Sequence, residues 1–302
     1  MNEPMRKYMR VGIVNFMAYP ATIKGEGPIL DATRAICRDD YFDVIEVTWI
    51  KDAEVRKQVR KMVETAGMTL TYGSQPRMLT TGQNINDLDD AKRKVALDSL
   101  KAGIDEAYEL GAKGFAFLSG KYEEATKEKS FEALLDSASQ LCEYAAAKGD
   151  MPVLLEVFDY DFDKKSIIGP APLARKFADL MKCKYPNFGL MVDLSHIAQL
   201  HENLRENLLP IVPYIKHAHV ANVVLKSGAE AVGDMHPRFG FPNSAVGVDE
   251  IVDFLRILMD IGFLNTQNPP IFSFEVKPWG DEEPELVIAN AKRALNEAWA
   301  KL

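Results

Sequence analysis

Short apolar runs rich in β-branched residues alternate along the chain with longer segments of helical period, and the alternation recurs eight times. The runs are Arg10–Phe16, Asp43–Trp49, Met68–Gly73, Lys113–Leu118, Pro152–Val157, Phe188–Asp193, Tyr214–Ala221 and Ile271–Val276. Between them, segments such as Asp52–Ala66, Ala91–Leu110, Phe131–Lys148 and Asp249–Ile261 place apolar residues three and four apart, with charges on the other face. Strand–helix alternation of this kind predicts right-handed crossovers and a parallel sheet. Eight units in one chain predict an α/β fold of the (β/α)8 barrel type, a single domain over residues 1–302. The competing arrangement is an open, doubly wound sheet. Against it, the first strand runs into Asn15-Phe16-Met17-Ala18-Tyr19-Pro20 instead of a Gly-rich phosphate turn. Two connections, Gly73–Ala91 and Asn222–Gly247, are long; each follows a strand and precedes a helix, which puts both on the carboxyl face as binding loops or lids.

Four of the strand candidates end in a side chain suited to a metal: Glu156 in LLEVFD, Asp193 in LMVDLSH, His219 in KHAHVAN and Glu275 in FSFEVKP. Side chains alternate along a strand. Glu156 therefore shares a face with Leu154, Asp193 with Met191, His219 with His217, and Glu275 with Ser273, while the opposite faces are apolar. In a barrel all four polar residues point inward at the mouth. Singly, a strand-end carboxylate is usually a helix cap and a strand histidine a hydrogen-bonded core residue. Together, three unpaired carboxylates converging on one point repel one another and desolvate badly. A divalent cation is the simplest remedy. Three carboxylates and one imidazole without a thiolate favour Mn2+, with Mg2+ or Co2+ also suited and zinc less so. With only five histidines in the chain, a His-rich multinuclear zinc cluster is not expected.

Further candidates surround these four. His196, three residues past Asp193, is placed to reach a substrate oxygen, and His217 sits one layer below His219 as a supporting group. Lys277 follows Glu275 and is a candidate to neutralise an oxyanion. The loop GDMHPRFGFPN carries His236 and Arg238 around Pro237 between glycines. Phe16, Tyr19, Trp49, Phe158 and Trp279 stand at strand ends as candidate walls of a sugar or aryl site. His201 is read as a surface residue in a helical run, and the Glu-rich stretch Lys121–Lys129 as a solvated helix start.

Composition narrows the partners. Lys and Arg number 36 against 44 Asp and Glu, a formal charge of −8, which argues against a nucleic-acid face. Cys37, Cys142 and Cys183 lie far apart without a CxxC, which favours free thiols in a reducing compartment. The apolar run near the amino end is brief and holds Asn15, and no stretch approaches the ~18 apolar residues of a membrane span, so a cytoplasmic location away from membranes is expected.

With these residues in hand, the chain resembles the xylose-isomerase-like sugar isomerase and epimerase superfamily over nearly its whole length. The specific part is the order Glu, Asp-x-x-His, His-x-His, Glu: Glu156, Asp193 with His196, His217 with His219, and Glu275. The resemblance implies that Glu156, Asp193, His219 and Glu275 bind one divalent metal, that the two glutamates also move protons, and that His196 contacts the sugar. The segment between His219 and Glu275 is longer than in simple ketose epimerases, with its arginine at Arg238. A narrower resemblance, to the large subunit of bacterial C-glycoside deglycosidases, rests on KYMRVGIVNFMAYP, GDMHPRFGFPN and EVKPWGDEEPELVIANAKRALNEAW. It implies a smaller β-rich partner subunit and cleavage of the C–C glycosidic bond of a 3-oxo-C-glucoside by proton abstraction and β-elimination. The alternative is a ketose 3-epimerase or sugar isomerase on the same metal site. Glu156, Glu275, His196 and His236 all remain candidates for the base, and Trp49, Arg238, His196 and Lys277 for substrate contacts. A metal-dependent endonuclease and a non-catalytic binding protein are the other classes weighed.

Overall fold

The computed structural model of the chain describes residues 1 and 3–302. Eight parallel strands close on themselves in sequence order: β1 (Arg10–Val14), β2 (Val44–Val47), β3 (Thr69–Gly73), β4 (Phe115–Leu118), β5 (Val153–Glu156), β6 (Phe188–Asp193), β7 (Ile215–Val220) and β8 (Ile271–Phe274). The pairing of β1 with β8 completes the barrel and removes the free edges an open sheet would have. All eight strand candidates are strands, and several are shorter than their apolar runs. The first, for example, stops at Val14, because Asn15 and Phe16 turn into a short helix.

Helices α1 (Asn15–Ala18) and α2 (Ile29–Cys37) follow β1, and α3 (Ala53–Thr65) follows β2. After β3 come α4 (Gln75–Leu79) and α5 (Asp90–Leu110), then α6 (Lys127–Ala146) after β4 and α7 (Ala171–Lys182) after β5. The second half continues with α8 (Leu194–Gln199) and α9 (Leu204–Leu208), α10 (Val248–Asp260) and α11 (Pro284–Ala300). Side-chain caps set several starts: Asp52 accepts from the amides of Glu54 and Val55 ahead of α3, and Asp89 from those of Ala91 and Lys92 ahead of α5. Two expectations are corrected here. The connection after β3 is not all loop, since Gln75–Leu79 forms α4 within it. His201 is exposed as expected, but it stands in a turn with φ 57°, outside any helix.

Alternation along the strands sorts the side chains into two populations. Val153, Leu155, Leu190, Val192, Ala218, Phe272 and Phe274 join the continuous core between barrel and helices, while Ala116, Leu154 and Met191 form a separate cluster inside the barrel. The interior is narrow enough that a Cβ at Gly12 would lie 2.3 Å from Ser273 Oγ, so glycine is required where β1 faces β8. Strand β7 carries an irregularity: Leu190 pairs with Ile215 but the next residue, Met191, pairs with His217. The extra residue, Lys216, shifts the phase of the strand. Ile215 packs in the outer core, yet His217 and His219 both face the axis.

The three cysteines are free: Cys37 half-buried, Cys142 buried and Cys183 exposed. Among the described residues no helix is long and apolar enough to cross a membrane.

Candidate metal centre and active site

The carboxyl ends of β5, β6, β7 and β8 bring Glu156, Asp193, His219 and Glu275 together. One ligand atom from each lies within 4.8 Å of the others. Nδ1 of His219 is 2.8 Å from Glu275 Oε2, 3.6 Å from Glu156 Oε1 and 3.9 Å from Asp193 Oδ2. Buried polar atoms are normally hydrogen-bonded. Here His219 Nδ1, Glu156 Oε1 and Asp193 Oδ2 are buried with no hydrogen-bond partner, the short approach to Glu275 included, because the groups are misaligned for one.

The other atoms of these groups are held. Asp193 Oδ1 accepts from the Ser195 amide at 2.6 Å, capping α8. Glu156 Oε2 accepts from the Gln75 side-chain amide at 2.7 Å. His219 Nε2 faces Glu46 on β2, 3.2 and 3.3 Å from its two oxygens, and His217 Nε2 meets the same carboxylate at 2.8 Å. Glu156, Asp193 and His219 are thus fixed on one side and open on the side facing their neighbours, and Glu275 completes the group. The open atoms, three carboxylate oxygens and an imidazole nitrogen, are a donor set that fits a hard divalent cation.

A second group adjoins the first. His236 Nε2 lies 2.6 Å from Asp234 Oδ1 and 3.8 Å from Glu275 Oε1, and its Nδ1 is 3.4 Å from Ser195 Oγ. His196 Nε2 is 3.6 Å from Glu156 Oε1, Nδ1 is 3.1 Å from Gln199 Nε2, and the ring centroid is 3.8 Å from that of Phe158. Asp234 Oδ2 is 3.3 Å from Lys164 Nζ, which also pairs with Asp163 at 2.6 Å. His236 holds a left-handed backbone, φ 48°, at a cost of about 1–3 kcal/mol for a residue other than glycine. Its carbonyl accepts from the Lys277 amide at 2.7 Å, which ties the loop after β7 to the loop after β8.

Electrostatics follow from burial and pairing. Burial alone raises the Glu46 carboxyl, but His217 and His219 more than reverse this and hold it well below the ordinary range. Burial likewise lifts Glu156, and pairing with His196 and His219 outweighs it, to about 2. Glu275 moves upward, because burial and the neighbouring Glu156 outweigh His236 and His219. Burial pushes the imidazoles down, yet the surrounding acids win: His196 rises to about 10 through Glu156, Asp234 and Asp193, and His236 to about 9 through Asp234 and Glu275.

A pocket opens over these groups, with ≈490 Å3 of space between atoms, part of it open to solvent. Its acidic floor is Glu46, Glu156, Asp234 and Glu275, and its walls include Phe16, Met17, Ile23, Pro76, Leu79 and Phe158. Of the expected aromatic walls, Phe16 and Phe158 line it. Trp49 does not: its indole N–H donates to the Ile23 carbonyl at 2.9 Å and its ring stacks on Arg77, behind the pocket. Tyr19 pairs with Glu285, and Trp279 packs against Phe241. Arg238 is engaged by Glu282 at 2.7 Å and stays out of the lining, as does Lys277. Sequence reasoning missed Glu46, Gln75 and Asp234. The signal for Glu46 was present in its inward parity on β2, two residues after Val44; Gln75 had none, lying in what reads as loop.

The sequence pattern of the family described as "Xylose isomerase-like TIM barrel" matches residues 35–298. The chain belongs to that family. No curated protein matches it by sequence. Solved structures share the xylose isomerase-like barrel at low identity. An L-ribulose 3-epimerase aligns with TM-score 0.71 and 18% identity, over 97% of this chain and 96% of the other. The 3-keto-D-glucoside 4-epimerase from E. coli aligns with TM-score 0.68 and 15% identity, over 95% and 99%. An AP endonuclease, family 2, from Brucella melitensis aligns with TM-score 0.66 and 14% identity, over 94% and 98%. At these identities the likeness is one of fold, and the xylose isomerase-like barrel here must be assigned chemistry from its own residues.

Proposed function

We propose that this barrel is a metal-dependent sugar epimerase or isomerase that moves a proton at a carbon next to a carbonyl. One observation carries the reading: Glu156, Asp193, His219 and Glu275 converge beside a pocket, with Glu156 Oε1, Asp193 Oδ2 and His219 Nδ1 buried and unpartnered. These four would hold one divalent cation, Mn2+, Mg2+ or Co2+ by donor type, which when bound supplies Lewis acidity toward a substrate carbonyl or adjacent hydroxyl.

The protein's own groups do the rest. Glu156 and Glu275 both line the pocket and are the groups placed to take a proton from carbon and return one. Gln75 fixes Oε2 of Glu156 and leaves Oε1, the oxygen facing His219, unpartnered. His196 is buried against Phe158, outside the lining of the pocket, with its Nε2 unpartnered, and is the proposed donor to a substrate oxygen. His236, paired with Asp234, stands beside Glu275 as a proton partner for that carboxylate.

The lining favours an uncharged substrate. Among the described lining residues there is no Lys or Arg, and the nearby Lys164 and Arg238 are already paired with acids. A phosphorylated sugar would meet an acidic floor with no cation of the protein's own to receive it, and a DNA backbone would fare no better. The sugar epimerases among the structural neighbours agree in kind with this reading.

A second reading is cleavage of a 3-oxo-C-glucoside. Loss of the C2 proton would generate an enolate that expels the aryl carbon from C1, with the electron pair of the C–C bond leaving on the aglycone, which is then protonated. The apolar wall of Phe16, Met17, Ile23, Pro76, Leu79 and Phe158 favours a substrate carrying such a group, and a smaller β-rich partner subunit belongs to this reading.

The test is solvent exchange in D2O with added Mn2+, followed by mass spectrometry. Free ketohexoses and 3-keto-glucosides should take up one deuterium and form the epimer. Aglycone release from a 3-oxo-C-aryl glucoside would favour the second reading. Metal bound with neither exchange on any carbonyl sugar nor aglycone release would overturn both.

A further inference from the structure

Glu46 lies on β2, on the far side of His219 from the other carboxylates, with only 2% of its surface exposed. A buried carboxylate must be met by donors. The nitrogens nearest it are Nε2 of His217 at 2.8 Å and Nε2 of His219 at 3.2 and 3.3 Å. A carboxylate accepts only, so both imidazoles present Nε2–H to it. Neutral imidazole has one N–H. Once His219 commits its proton to Glu46, its lone pair sits on Nδ1, the atom that faces Glu275, Glu156 and Asp193. His217 holds Glu46 Oε1 from a second side, with Ser273 Oγ 3.4 Å from the same His217 nitrogen. His217 and His219 stand two residues apart on regularly paired β7 and share the inward face, which lets one acid reach both.

We propose that Glu46 is a positioning residue of this centre: it selects the Nε2–H form of His219 and aims Nδ1 at the carboxylates, so that cation affinity depends on an acid that never touches the cation. The inference rests on the metal-binding reading above. A carboxylate behind a ligating histidine fixes ring and tautomer, and its loss typically costs 10–100-fold in metal affinity.

The experiment titrates Mn2+ into the metal-free full chain, reading free Mn2+ by electron paramagnetic resonance. The proteins are wild type, Glu46→Gln, His219→Asn and the double variant. Glu46→Gln should bind roughly 10–100-fold more weakly with an unchanged circular dichroism spectrum. In the His219→Asn background, adding Glu46→Gln should change affinity less than about twofold, because the residue it acts through is gone. Wild-type affinity in Glu46→Gln, or an equal loss in both backgrounds, overturns the inference. A wild-type chain that takes up no Mn2+ overturns the metal reading and the inference with it. The wild type supplies an independent readout should Glu46→Gln not fold: nitrogen–proton correlation spectra of the Mg2+-loaded chain should show His219 as the Nε2–H tautomer, and an Nδ1–H form overturns the proposal.

Discussion

Nδ1 of His219 approaches Oε2 of Glu275 to 2.8 Å without forming a hydrogen bond. On the proposed reading the two atoms are ligands of one cation. The Asp193→Asn variant separates this from structural roles. Asn keeps an acceptor for the Ser195 amide, so the cap of α8 survives, and Asn caps about as well as Asp. The oxygen facing His219 is what Asn replaces with an NH2 or leaves uncharged. We expect unchanged stability of the metal-free protein by thermal melting and no metal uptake at concentrations that saturate wild type.

Gln75→Met tests the support of Glu156. The thioether keeps volume but removes the 2.7 Å donor to Oε2, leaving that oxygen buried without its partner. Metal affinity should fall roughly 10–100-fold, measured by the same Mn2+ titration, while helix content is retained.

For His196→Ala we expect retained metal and reduced turnover. Its Nε2 lies 3.6 Å from Glu156 Oε1, but His196 is outside the four-residue cluster. Metal analysis beside exchange kinetics decides it; equal loss of both would move His196 among the ligands.

The metal-free protein should lose stability as pH rises. His196 and His236 are lifted from the ordinary 6.5 to about 10 and about 9. Raised values mean that the folded form binds protons more tightly than the unfolded chain, so the contribution is complete below about pH 6.5 and drains away toward pH 9–10. A divalent cation needs His219 Nδ1 unprotonated, and burial is outweighed by the surrounding acids, which hold this imidazole well above its ordinary value, so the gain in Tm on adding metal should grow as pH rises. Urea denaturation with chelator, and melting with and without Mg2+, check the two signs.

Arg77 anchors α4 from behind. It donates to the Tyr72 hydroxyl at 2.9 Å, pairs with Glu106 and stacks on Trp49. Arg77→Met should destabilise the protein by about 3–5 kcal/mol in urea, because Glu106 is left as a largely buried unpaired charge. Replacing Glu106 by Leu in the same chain should recover much of that loss.

The barrel was legible because parallel strands buried on both faces write themselves as short apolar runs, and all eight runs became strands. The convergence of Glu156, Asp193, His219 and Glu275 was legible for a related reason: inward parity at the strand ends survives translation into structure. What escaped was whatever depends on reach across the barrel. Glu46 is three strands away from His219 through the closure of β1 on β8, and no local pattern records that neighbour. Gln75 sits on a helix of five residues, too short for a periodic signal. Trp49 stands two residues past the end of β2, where alternation no longer governs direction, and its ring lies over Arg77. The phase shift at Lys216 likewise has no signature, since Lys is at home on either face of a strand end.

The cluster comes from the carboxyl ends of the last four strands, while Phe16, Met17, Ile23, Pro76 and Leu79 come from the connections after β1 and β3, in α1, α4 and the segment after α1. On the proposed reading, the clustered residues and most of the wall come from opposite halves of the barrel. Gln75 in the same connection supports Glu156, so substitutions limited to those five wall residues are the ones expected to diversify which molecule is accepted while leaving the cluster in place. A library confined to those five wall positions is accordingly a route to new substrates that starts from an intact reaction centre.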